Sequence, residues 1–220
     1  MCQESFKNVP DLKGNLKYLQ CASVAMLLRK ILQILCYYVL PLSLFVMTFW
    51  LEGADQKGFF IAAGSISLLL ILIILFSKPI AVITGLRPLI RIVGLRRELG
   101  VASFWFFLIH GAGLIYVNSI YSLSDYSGIG NYLFWGGVAA VGMILLGITS
   151  NTYSVKLLKR NWKRLHLIVY GVLFAAVMHA GLSEGDPYGA FIITGVFIVL
   201  KVLEKKNVRL KNLFRKKVSE

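Results

Sequence analysis

Long apolar runs, separated by connectors that alternate between basic and acidic, constrain this chain more than any motif does. Six stretches, 31–51, 58–77, 101–120, 131–150, 165–182 and 187–203, come close to the length that crosses about 30 Å of hydrocarbon at about 1.5 Å per residue. Hydrophobic residues make up 57% of the chain, which places it in the membrane class. Lipid offers no partner to backbone N–H and C=O groups, so such runs predict helices that satisfy their own hydrogen bonds. The expected fold is an all-α membrane protein, a bundle of six transmembrane helices.

Charge sets the expected orientation. The connectors 52–57, 121–130 and 183–186 hold one basic residue, Lys57, against Glu52, Asp55, Asp125, Glu184 and Asp186. The other 23 of 24 Lys and Arg fall in the N-terminal segment, the 78–100 and 151–164 loops, and the C-terminal stretch from Lys201 onward. By the positive-inside rule these regions are cytoplasmic, which puts both termini there; the expected location is the inner (plasma) membrane, as a multi-pass protein. The expected organisation is a cytoplasmic segment over 1–30, a membrane domain over 31–203 and a basic tail over 204–220. A net charge of +14 is then largely a topology signal, with no nucleic-acid motif beside it. Residues 1–20 are mixed and polar, unlike a cleavable signal. Cys2, Cys21 and Cys36 show no metal or disulfide spacing and read as free thiols.

The material outside the expected spans is too short for a nucleotide-binding domain, and neither GxGxxG nor GxxxxGK[ST] occurs. If the chain handles electrons, their donor and final acceptor must be other molecules. The 78–100 loop mixes Ile, Val and Leu with Arg87, Arg91, Arg96 and Arg97. It is expected along the inner interface, with Pro79, Pro88 and glycines breaking regular helix. The basic amphipathic tail reads as an anchor against anionic membrane lipid.

Only three histidines occur, and all lie on two of the apolar runs. An ionisable group at membrane depth is a functional-site hypothesis by default. His110 lies 13 residues after Arg97, about 20 Å along a helix, and His179 lies 15 after Arg164, about 22 Å. The third and fifth spans run the same way, so the two imidazoles sit at matching depth in the outer half of the membrane. That permits a haem b held between them, with both as ligands to the iron. A membrane histidine can also simply hydrogen-bond a neighbouring helix. His166, 13 residues before His179, lies near the cytoplasmic edge, and the matching level on the third span is held by Arg97 beside Arg96. A second haem of the bis-histidine type cannot be built there. An ideal helix turns His166 about 140° away from His179, so a shared channel requires a bend, a π-bulge or a shift of register.

Small residues crowd these segments: Gly111 and Gly113 after His110, Gly171 before His179, and Gly136, Gly137, Gly142 and Gly147 in the fourth span. They would give clearance to a porphyrin, or close packing between membrane helices, the reading favoured for the fourth span. Phe104, Trp105, Phe106, Phe107 and Tyr170 would line an apolar pocket or face lipid.

RRELG leading into the His110 helix, and ITSNTYSVKLLKRNWKRLHLIVYGVLFAAVMHA over 148–180, resemble the ferric-reductase-like transmembrane family. Within it the pattern is similar to that of haem-binding membrane subunits serving periplasmic methionine sulfoxide reductases. The resemblance implies a b-type cytochrome fed by a cytosolic flavin reductase or reduced flavin, delivering electrons to a periplasmic molybdenum-containing reductase. It carries haem ligation to His110 and His179, the inner-histidine position to His166 and the basic cytoplasmic mouth to Arg96 and Arg97. An outer haem leaves about 20 Å to the cytoplasmic surface, so an FMN or a differently ligated second haem near His166, Arg96 and Arg97 is expected as a relay. The rivals are a stand-alone ferric or cupric reductase, a haem-free transporter or scaffold, and a quinol oxidase.

Overall fold

The computed structural model describes residues 27, 29–50, 53–118 and 123–206; the N-terminal segment to residue 26 and the tail from 207, with the expectations placed on them, lie outside the described residues. Those residues are helical, with no strand among them. A π-helical turn, Leu35–Val39, leads into α1 (Leu40–Trp50). There follow α2 (Gly53–Thr84), α3 (Arg87–Gly94), α4 (Arg96–Asn118), α5 (Tyr132–Ile148), α6 (Thr152–Leu158), α7 (Arg160–Leu165), α8 (Val169–Glu184) and α9 (Tyr188–Lys205).

Four helical stretches are long and apolar enough to cross a membrane: Arg29–Thr48, Gln56–Thr84, Arg96–Asn118 and Arg160–Glu184. A fifth is reached only if α5 and α6 count as one span across their 92° bend. Of the two remaining expected spans, α5 has 17 residues, about 26 Å. Helix α9 has 18 but closes on Lys201, Glu204 and Lys205. The expectation of a break at Pro79 is corrected: α2 runs through it to Thr84, with the ring buried. Proline forfeits a hydrogen bond there, but the apolar residues that follow keep the helix packed. Pro88 starts α3 instead of breaking helix, as its fixed φ suits a first turn.

Two intimate helix pairs organise the bundle, α2 with α4 and α5 with α8, and α9 lies against both α2 and α8. Small residues let α2 and α4 approach. The Ser67 hydroxyl donates to the Ser103 carbonyl (2.9 Å) and the Ser103 hydroxyl donates back to that of Ser67 (3.0 Å), both side chains being buried. Such reciprocal bonds satisfy hydroxyls that lipid cannot. The core joins the pairs through Leu75 of α2, Met143 of α5, Leu173 of α8 and Phe197 of α9. Glu204, at the end of α9, accepts from Lys78 (2.7 Å) and Lys201 (2.8 Å), which ties α9 to α2.

The first span is fastened by a buried carboxylate. Glu98 is 1% exposed in the first turn of α4. Its Oε1 accepts from Arg29 Nε (3.1 Å) and Gln33 Nε2 (3.2 Å), while its buried Oε2 has no partner among the described residues. A charge left in such a place without a cation is destabilising. Arg29→Ala is expected to cost about 1–3 kcal/mol, read as a lowered unfolding midpoint in detergent. Adding Glu98→Gln should recover part of the loss; strictly additive effects would contradict the coupling.

Candidate functional site

The two helix pairs each present one imidazole to the space between them. His110 of α4 and His179 of α8 stand with ring centroids 6.0 Å apart and planes at 78°. Each ring is fixed by a backbone carbonyl of its own pair partner. His110 Nδ1 lies 2.9 Å from the carbonyl oxygen of Phe60 in α2. His179 Nδ1 lies 2.9 Å from that of Tyr132 in α5. A carbonyl can only accept, so in both rings the proton is on Nδ1 and the lone pair is on Nε2. That is the tautomer a metal-ligating histidine adopts when a second group orients it.

The pair fits a single metal between the rings. Two metal–nitrogen bonds of about 2.0–2.1 Å, with a ring radius behind each nitrogen, give a centroid separation of roughly 6 Å. No group of three or more His, Cys, Asp and Glu side chains suited to a metal occurs among the described residues. Two imidazoles suit a haem iron, whose remaining positions the macrocycle fills. The Tyr132 ring lies beside the site, 5.7 Å from that of His179.

Toward the Arg96 end of α4 lies a cavity of about 470 Å³, lined among others by Arg96, Arg97, Ser150, Trp162, His166 and Tyr170. Its floor depends on the chain reversal after α5. Lys159 has φ 46°, the one positive value at a non-glycine among the described residues, and there α6 turns into α7. Trp162 Nε1 then donates to the Thr149 carbonyl (2.8 Å), and the Trp162 and His166 rings stack at 4.0 Å. A 3-10 turn, His166–Ile168, interrupts the regular helix at the foot of α8, and His166 lines this cavity while His110 and His179 do not. Thr149 already donates its hydroxyl to the Leu145 carbonyl (2.6 Å), so at 3.3 Å it accepts from His166 Nε2. His166 therefore carries the opposite tautomer to the outer pair, with its lone pair on Nδ1.

The two arginines have different surroundings. Arg97 is occupied: its Nε donates to the Ser150 carbonyl (3.0 Å) and its terminal nitrogen to Thr152 Oγ1 (3.1 Å), clamping the turn between α5 and α6. Arg96 has a buried Nε without a hydrogen-bond partner among the described residues. An unpaired guanidinium N–H beside a cavity is a binding group for phosphate or carboxylate. Of the expected pocket aromatics, Phe104 and Tyr170 line this cavity, and Phe107 packs on Phe104 with centroids 6.3 Å apart.

Two glycines touch the site, Gly136 from the small-residue run of the fourth span and Gly64 from a run whose sequence gave no sign of it. A Cβ at Gly64 of α2 would fall 2.6 Å from His110 Cε1 and nearer still to Nδ1, and one at Gly136 would fall 2.8 Å from His179 Nδ1. Gly142 and Gly147 serve close packing instead, against Val172 and Phe104. A Cβ at Gly171 would meet no protein atom within 4 Å, so Gly171 does not serve close helix packing. The exposed acids Glu184 and Asp186 lie at the end of α8 and in the turn after it.

The fold and the site define a multi-pass helical membrane protein that holds paired imidazoles between helices, above a basic cavity. The chain belongs to the family described as ferric reductase like transmembrane component, which matches residues 60–177, a range that includes His110 and His166 and ends just before His179. It is similar to proteins named protein-methionine-sulfoxide reductase heme-binding subunit MsrQ. That of Xanthomonas campestris pv. campestris (strain B100) is 30% identical over 180 residues, covering 73% of this chain and 78% of the relative. That of Xanthomonas axonopodis pv. citri is 30% identical over 168 residues (69% and 72%), and that of Agrobacterium fabrum 29% over 152 (67% and 71%). No solved structure gives a significant match.

The division between the arginines is testable by stability alone. Arg97→Ala removes two hydrogen bonds and should cost about 1–2 kcal/mol, whereas Arg96→Gln should leave the unfolding midpoint near that of the parent. Equal losses would contradict the assignment.

Proposed function

We propose that the chain is a haem-binding subunit that carries electrons across the inner membrane to a periplasmic molybdenum-containing methionine sulfoxide reductase. Its donor is a cytosolic flavin reductase or reduced flavin. The observation that carries this reading is the His110–His179 pair, 6.0 Å apart, with both Nδ1 atoms committed to carbonyls. Haem b held by the two Nε2 atoms would supply a reversible one-electron step inside the bilayer. The relatives' names, which join haem binding to methionine sulfoxide reduction, support both cofactor and partner.

In this reading residues 31–203 form the haem-binding domain, crossing the membrane six times, with 1–30 and 204–220 as cytoplasmic flanks. The distribution of Lys and Arg supports that orientation. The chain's residues do the positioning. The two helix pairs hold the imidazoles apart by one metal's width. The apolar helices exclude water from the outer site, which limits proton leakage and side reactions. At the inner end, Arg96 and His166 would hold FMN or a second haem, Arg96 pairing with phosphate or propionate. Arg97 frames that mouth by fixing the α5–α6 turn.

Visible spectra of the purified protein, oxidised and dithionite-reduced, test the proposal. The parent should show b-type absorption, and His110→Ala or His179→Ala should abolish it. A variant keeping the full spectrum would overturn the ligand assignment. Arg96→Gln should weaken reduced-FMN binding about tenfold or more while the outer spectrum stays intact; unchanged electron uptake would remove the relay. Reduction of ferric chelates, with no electrons passed to a methionine sulfoxide reductase, would favour the stand-alone reductase.

A further inference from the structure

The two imidazoles are seated by the same local device on two different helices. His110 bonds the carbonyl of Phe60, and the residue packed under its ring is Gly64. His179 bonds the carbonyl of Tyr132, and the residue under its ring is Gly136. In each case the glycine lies four positions after the carbonyl: FIAAG over 60–64 and YLFWG over 132–136. That spacing has a physical reason. In an α-helix the carbonyl of residue i accepts from the amide of i+4, which uses one of its two lone pairs. A side chain at i+4 leans back toward the helix N-terminus and shields that carbonyl. With glycine at i+4 the second lone pair is open from the side, and a flat ring can lie over the backbone and reach it.

We infer that Phe60–Gly64 and Tyr132–Gly136 are two matched cradles, whose glycines are positioning residues that set the reduction potential of the bound haem. The inference rests on the haem-binding reading above. A carbonyl that draws on Nδ1–H makes Nε2 a stronger electron donor, and a more basic ligand stabilises the ferric over the ferrous state. Alanine at either glycine drives the ring off its carbonyl and weakens that donation. The midpoint potential therefore rises. The clash at Gly64 is the tighter of the two, with Nδ1, Cε1 and Cγ all within 2.8 Å of the added carbon, whereas at Gly136 Cε1 and Cγ lie at 3.1 and 3.5 Å. The shift is accordingly larger for Gly64→Ala than for Gly136→Ala.

Other glycines of the same bundle serve as controls. Gly142 is equally crowded, but by Val172 and not by a histidine, and a Cβ at Gly171 would meet nothing within 4 Å. The experiment is a potentiometric titration of the purified haem-loaded chain, followed by its visible spectrum. Gly64→Ala and Gly136→Ala should titrate at more positive potentials than the parent, in that order of size. Gly142→Ala should lose thermal stability yet titrate with the parent, and Gly171→Ala should match it in both. Parent-like midpoints in both cradle variants, or a shift as large in Gly142→Ala, would overturn the inference. If the cradle variants do not accumulate, magnetic resonance on the parent labelled with ¹⁵N-histidine decides: a hydrogen-bonded Nδ1–H on both ligands supports the cradles, and its lack on either refutes them. A parent that binds no haem would instead be the failure of the function proposed above.

Discussion

An imidazole placed inside a bilayer has an N–H that water cannot satisfy, and the rest of this structure follows from how that proton is held. In both outer histidines the partner is a helix carbonyl, at 2.9 Å. The bond does two things at once. It removes the cost of burying an unpaired donor, and it leaves Nε2 as the ring's only lone pair. A carbonyl already engaged in its own helix can take this second bond only where nothing shields it, so each partner helix must carry a glycine at one particular turn. The positions of Gly64 and Gly136 and the chemistry of the site answer to that one requirement.

The architecture then divides the labour between two levels. At one level, helix pairs α2–α4 and α5–α8 each bring one ring to a shared gap. Toward the Arg96 end of α4 the bundle opens around a cavity lined by Arg96 and His166. Arg97 holds the turn that forms the cavity floor. The buried Glu98 looks the other way and fastens the first span through Arg29 and Gln33. Three adjacent charged positions at the foot of α4 thus serve a ligand cavity, a turn and a helix contact. Their helical spacing of about 100° per residue aims them at different neighbours.

Much of this was legible in the sequence. Hydropathy placed the helix centres, although α2 runs from Gly53 to Thr84, past both ends of the expected 58–77, and counting from the basic edge put His110 and His179 at one depth, where the structure brings their rings together. Ideal helix geometry turns His166 away from His179, and the structure has a 3-10 turn, His166–Ile168, at that point of the chain. Three features were not legible. Gly64 lies in a run with no histidine, and its importance depends on which helix faces α4, a tertiary fact. Pro79 reads as a helix breaker by local rules, but burial of the surrounding apolar residues outweighs one lost hydrogen bond. The roles of Arg96 and Arg97 look interchangeable until the α5–α6 turn is seen to sit within reach of only one of them.

The central claim, that His110 and His179 together clasp one haem iron, is tested most directly by low-temperature electron paramagnetic resonance of the oxidised parent protein. Rings at 78° to each other predict a low-spin ferric signal with the strong anisotropy of near-perpendicular imidazole planes. A high-spin signal, or a protein that carries no iron-porphyrin when purified from haem-replete cells, would contradict the account.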